Sequence, residues 1–240
     1  MPSSCRRATS DIDLAVVEPL SYSRFNRFAS PIADWLQAHG YSARFEKAHA
    51  TNRLVYGAEG ETMVIEFPRK SERNFAKKAK NLEREFEHSR KKLVEERGAT
   101  YRVVSPEDIA APKLARCTTY LELDDSLCRY IEGVKPSPLS DAEVRCMLDE
   151  IEYLRARADL FPDDKLLATK TRFLSDIFDV RLLSESAGFN ERYFERAIRS
   201  WDNIVKHPAS ARLLLNYLLP ATRVDVLEGN SLVTHDTKSA

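Results

Sequence analysis

The spacing of apolar residues changes along this 240-residue chain, and that change limits what it can fold into. As far as Phe67, short apolar runs alternate with polar positions and are cut by turn residues. Beyond Ser140, apolar residues recur every three or four positions almost to Tyr217. A period of two marks strands and a period near 3.6 marks helices. A chain carrying first one and then the other is α+β: a mixed sheet with flanking helices, followed by a helical C-terminal half.

Individual segments follow from the same signals. Asp11-Ile-Asp-Leu-Ala-Val-Val runs from alternation into an apolar stretch that Pro19 ends, which predicts a buried strand. Phe25, Phe28, Ile32, Trp35 and Leu36 predict a helix over 25–38, with Gly40 as its stop. Arg53–Tyr56 and Thr62–Phe67 read as strands, and Gly57-Ala-Glu-Gly60 between them has the composition of a hairpin turn. From Arg69 to Arg97 the charge-dense pattern with Phe75, Leu82, Phe86 and Leu93 predicts one long helix, and a short strand over Thr100–Val104 follows. Ser105-Pro106-Glu107-Asp108 has a capping serine, Pro in the first helical position and acids in the first turn. Glu132–Pro138 reads as a loop, and Ser140-Asp-Ala-Glu143 is a capping box. The domain reading is an α/β core over 1–112, a mainly helical region over 113–219, and a polar tail over 220–240.

Composition excludes several classes. Hydrophobic residues make up 43% and charged residues 31%, the balance of a folded globular chain. Lys plus Arg equals Asp plus Glu at 37 each, so only a local patch could attract nucleic acid. The longest apolar runs, 179–183 and 213–219, are too short to cross a bilayer, and no signal-peptide stretch precedes Asp11. Cys5, Cys117, Cys128 and Cys146 form neither a C-x-x-C pair nor a zinc spacing, which leads to the expectation of a reducing cytoplasm and no membrane.

Asp11 and Asp13 carry the most chemistry. Two apart on a strand, both side chains are expected on one face, where like charges repel unless a cation lies between them. Mg²⁺ takes hard oxygen ligands and is often held by one or two carboxylates plus substrate phosphates. The segment Arg6-Arg7-Ala-Thr-Ser10-Asp11-Ile-Asp13-Leu-Ala-Val resembles the metal-binding motif of the AbiEii/AbiGii toxin family, minimal nucleotidyltransferases of the DNA polymerase beta-like superfamily. Tyr101-Arg-Val-Val-Ser-Pro-Glu-Asp-Ile-Ala-Ala-Pro-Lys113 resembles that family's strand, capped helix and lysine. Lys170-Thr-Arg172-Phe-Leu-Ser-Asp176-Ile-Phe-Asp179 is similar to its closing motif.

The resemblance implies a nucleotidyltransferase-like core in which Asp11 and Asp13 bind Mg²⁺. Ser10, Lys113, Lys170 and Arg172 would then bind the nucleotide, with Asp176 in the polar cluster of the active site. Glu66, an acid inside the apolar strand Met63-Val-Ile-Glu66-Phe, is a candidate third ligand or general base. The plain alternatives stay open. Lys113 could be a solvent-facing lysine, Glu66 an outward edge residue, and Asp176 and Asp179 surface acids, with Arg172 pairing with Asp176 four residues on.

The resemblance implies transfer of a nucleotide from a nucleoside triphosphate to an acceptor, either RNA such as tRNA or a protein. It also implies a toxin-like role with a cognate antitoxin. For RNA, the expected basic source is Lys77, Lys78, Lys80, Arg90, Lys91 and Lys92 on the 69–97 helix, interrupted by Glu83, Glu85 and Glu87. The family's glycine turn before the first Asp is missing, so either the start lies upstream or part of the phosphate grip is lost. The second alternative gives the other reading, an inactive relative serving as a nucleotide-, RNA- or protein-binding module.

Overall fold

The computed structural model describes residues 11–13, 19–48, 51–68, 72–94, 99–132, 140–186 and 188–218. For some of these, Asp11 and Asp13 among them, it describes the backbone alone. Ser10 and the tail after Leu218 lie outside the described residues. The chain is α+β and divides into two compact units, one within 7–89 and the other from Arg90 onward. The sequence boundary at 112/113 falls inside a continuous helix, so the division lies earlier.

In the sheet unit the elements run β1 (Asp11–Asp13), α1 (Tyr22–Ala38), β2 (Ser42–Lys47), β3 (Thr51–Ala58), β4 (Glu61–Pro68) and α2 (Glu72–His88). The strands stand in the order β1-β4-β3-β2, with β1 parallel to β4 and the other pairs antiparallel. Ser21 caps α1 by accepting from the Arg24 backbone N–H at 3.2 Å. Phe25, Ala29, Ala33 and Leu36, spaced four, four and three apart, bury that helix against Leu54 and Phe67. Burying Phe25 completely, with its ring 5.0 Å from Phe67 and 5.6 Å from Phe45, is worth about 2–3 kcal/mol.

Two expectations are corrected here. The turn between β3 and β4 is the two-residue Glu59-Gly60, because Gly57 and Ala58 still pair with Thr62 and Glu61. The long helix expected over 69–97 ends at His88. Arg90–Val94 (β5) instead pairs antiparallel with Ala99–Val103 (β6). The mixed charges of that stretch suit either conformation, and pairing with a later segment decides between them. The expected basic face therefore splits, with Lys77, Lys78 and Lys80 on α2 and Arg90, Lys91 and Lys92 on β5.

In the helical unit, α3 (Pro106–Leu123) starts at Ser105, whose Oγ accepts from the Asp108 N–H, and runs through Pro112. A 3₁₀ turn, Asp125–Leu127, leads to α4 (Cys128–Glu132). The capping box at Ser140 forms as expected and opens α5 (Asp141–Leu160). Then come α6 (Lys165–Ser184), α7 (Glu191–Arg199), α8 (Asp202–Lys206) and α9 (Pro208–Leu218). Helix α6 is buried on two sides. Phe173, Ile177 and Val180 join the cluster built by α3, α7 and α9, while Leu174, Phe178 and Leu182 meet Val144, Ile151 and Leu154 of α5.

Four further contacts bind this unit. Asp108 accepts from the Tyr193 hydroxyl at 2.7 and 2.9 Å, and Glu107 accepts from the Asn190 backbone N–H. The buried Arg181 donates to the Leu218 carbonyl at 2.9 Å and pairs with Glu185 at 2.8 Å. Among the described residues no helix is long and apolar enough to cross a membrane.

Candidate functional site

The sequence-predicted residues divide between the units. Asp11, Asp13 and Glu66 belong to the sheet unit, whereas Lys113, Lys170, Arg172 and Asp176 belong to the helical unit.

In the sheet unit, parallel pairing sets Asp11 beside Val64 and Asp13 beside Glu66. The next strand continues the row, because Arg53 of β3 is the antiparallel partner of Glu66. Residues 13, 66 and 53 thus lie side by side on three adjacent strands. The Glu66 carboxylate, 22% exposed, accepts a 2.6 Å contact from an Arg53 Nη. It is therefore not a solvated edge acid, since a guanidinium neutralises it across the strand. The Arg53 Nε is buried and has no hydrogen-bond partner among the described residues, so one of its donors is unspent. Sequence reading missed Arg53, although its alternating position on a strand next to an acid-bearing strand was the available signal.

In the helical unit, Lys113 and Arg116 stand three residues apart on α3, facing Asp176 and Asp179, three apart on α6. The Lys113 ammonium donates to Asp179 at 2.8 Å and to Asp176 at 3.4 Å. Arg116 donates through Nε and Nη2 to the two oxygens of Asp176, both at 2.9 Å, a two-pronged pair. Asp176 is 2% exposed and so meets all its donors inside the protein. Its hydrogen bonds raise the Arg116 guanidinium above its ordinary value, by more than burial lowers it. Burial pushes the neighbouring Cys117 thiol well above its ordinary range and keeps it protonated.

This quartet carries two positive and two negative charges and cancels. Asp176 is not a surface acid paired within its own helix, and Asp179 takes the Lys113 ammonium from α3. Arg172 is exposed, and the partners of Asp176 come from α3. Lys113 spends its charge on two carboxylates, which makes it a pin between helices rather than a free phosphate donor. Lys170, half-buried, contributes to holding the Asp124 carboxyl below its usual range, behind the larger effect of the Ser126 hydrogen bond. Sequence reading missed Arg116. Opposite charges at equal i,i+3 spacing on two helices were the sign of it.

For a divalent ion the donor chemistry fits in kind, since carboxylate oxygens are the hard ligands Mg²⁺ prefers. Asp11, Asp13 and Glu66 are the residues that would hold it. Glu66 would have to share its oxygens with Arg53. Among the described residues no group of three or more His, Cys, Asp or Glu is arranged to hold a metal, and the side chains of Asp11 and Asp13 are outside that description. No family model, curated protein or solved structure matches the chain.

Proposed function

We propose that the chain is a Mg²⁺-dependent nucleotidyltransferase, moving a nucleotide from a nucleoside triphosphate to RNA such as tRNA, or to a protein, in a toxin-like role opposed by an antitoxin. The observation that carries this reading is the register of β1 on β4. Asp13 and Glu66 are register partners on parallel strands, and Asp11 stands two positions before Asp13 on the same strand. When bound, Mg²⁺ neutralises phosphate charge and aligns an in-line displacement. Asp11 and Asp13 would hold the ion, and Glu66 would serve as third ligand or as the base that takes the acceptor's proton. Arg53, beside Glu66 and with an unspent donor, orients that carboxylate. Ser10, Lys170 and Arg172 remain the nucleotide-binding candidates, and Lys113 joins them only by giving up its carboxylates.

The test is incorporation of α-labelled nucleoside triphosphates into total RNA with Mg²⁺, comparing the natural chain with Asp13→Ala and Glu66→Gln. Label should appear with the natural chain and fall at least a hundredfold, or about 2.7 kcal/mol, in each variant. Equal labelling by all three would refute the assignment.

One observation favours the second reading, an inactive relative that binds nucleotide, RNA or protein. The Arg53 contact on Glu66 occupies the carboxylate that metal chemistry needs. That reading expects no label from any protein, while labelled nucleotide is still retained in equilibrium dialysis.

A further inference from the structure

Helix α1 buries one apolar stripe and exposes another beside it. Phe28, Ile32 and Trp35, at i, i+4 and i+7, are 60%, 36% and 49% exposed. A single exposed apolar residue is ordinary, but three at helical spacing, including Phe and Trp, make a continuous patch of the kind that marks interfaces. Two of the three are held in position. The Trp35 ring stacks on His39 with centroids 4.0 Å apart, and His39 Nδ1 lies 2.7 Å from the Trp35 carbonyl. Phe28 meets the edge of Phe67 at 6.1 Å. Side chains ordered beforehand lose little further entropy on association.

The charges beside the stripe choose the occupant. Arg27 and Asp34 precede Phe28 and Trp35 by one residue each, so they flank the stripe on the same side, and both are exposed. If two copies of α1 pair antiparallel about a two-fold axis near Ile32, Phe28 of one meets Trp35 of the other. The same operation brings Arg27 of one copy to Asp34 of the other, twice. Parallel pairing would instead put the Arg27–Asp34 flanks of the two copies on opposite sides of the seam, where neither charge meets its complement. An anionic membrane surface would favour a uniformly basic flank, and here Asp34 interrupts Arg24 and Arg27.

We propose that this face of α1 is a self-association surface, on which α1 of a second copy docks antiparallel through Phe28, Ile32 and Trp35. The proposal stands apart from the catalytic reading, because none of its residues belongs to the β1–β4 row.

Sedimentation velocity of the full chain over a wide concentration range tests it. The natural protein should dimerise reversibly. Trp35→Glu should be monomeric, with unchanged helical circular dichroism, and Phe28→Ala should weaken the dimer while disturbing the fold less. Arg27→Asp and Asp34→Arg should each weaken the dimer about tenfold, since each turns two attractive rim contacts into repulsive ones. The double reversal should restore it. A natural protein monomeric at every concentration would overturn the proposal, as would a dimer indifferent to Trp35→Glu or a double reversal no better than the single ones. A monomer that binds anionic lipid vesicles through Trp35 would overturn it in favour of a membrane surface.

Discussion

Asp176 is nearly inaccessible and is satisfied by cations reaching in from another helix, so the cost of a substitution depends on what is left behind. Arg116→Ala leaves a buried carboxylate with Lys113 alone. Breaking a fully buried pair costs about 3–5 kcal/mol. The Arg116 side chain is 40% exposed and water screens part of the interaction, so about 2 kcal/mol is expected. The pH dependence has a definite sign. The folded-state value of Arg116 is raised above its ordinary value, chiefly by its Asp176 hydrogen bonds, so its contribution is complete below that ordinary value and is lost only as pH climbs past the raised one. Urea midpoints of the natural chain and Arg116→Ala should differ by the same amount at neutral and mildly alkaline pH. A difference that closes at mildly alkaline pH would show that the pair does not act as described. The sequence made Lys113, Asp176 and Asp179 visible as polar residues in order along the chain. What it hid was their common neighbour, because Arg116 and Asp176 lie 60 positions apart and only the packing of α3 on α6 brings them together.

At the scale of elements, the β3–β4 hairpin shows how local chemistry and register divide the work. Glu59 and Gly60 both have positive φ, 51° and 90°, the pattern of the tight turn whose twist matches its strands. Glycine enters that region freely, whereas Glu pays a steric cost there. Glu59→Asn should therefore raise stability by about 0.5–1 kcal/mol, read as a higher urea midpoint with unchanged slope. A lower midpoint would mean that the Glu59 side chain does more than occupy a turn. Gly57 has a different reason to be glycine, since a Cβ there would come within 2.1 Å of the Glu61 carbonyl oxygen. From the sequence both glycines looked alike, and the turn was read two residues too early. Strand β2 went unread because Ser-Ala-Arg-Phe-Glu-Lys has no apolar run, and its half-exposed edge position tolerates that. Helices opened by a capping serine, α3 and α5, were legible because the cap is a local event. Strand β5 was not, because its only commitment is to a partner it meets later in the chain.

Across the whole molecule, the two units have unequal cores. Among the described residues, the sheet unit has one buried cluster of six, whereas α6 joins two larger clusters in the helical unit. Each unit contains one of the two tryptophans, Trp35 in the first and Trp201 in the second. Fluorescence of Trp35→Phe and Trp201→Phe, each retaining one reporter, should give two separate urea transitions, with the Trp201 signal lost at the higher concentration. Coincident transitions would mean that the units unfold as one.

The paired carboxylates at the start of α3 carry a further consequence, one of connectivity. Asp108 and Glu107 grip Tyr193 and the Asn190 backbone across 85 and 83 positions. Helices α4, α5 and α6 thus lie inside a ring closed without a covalent bond. A single cut of the backbone within that ring, in the stretch between α4 and α5, leaves two pieces that still share the clamp at one end and the α3-facing side of α6 at the other. These contacts across the ring join the same helices that the chain joins in sequence, so the helices are tied twice over.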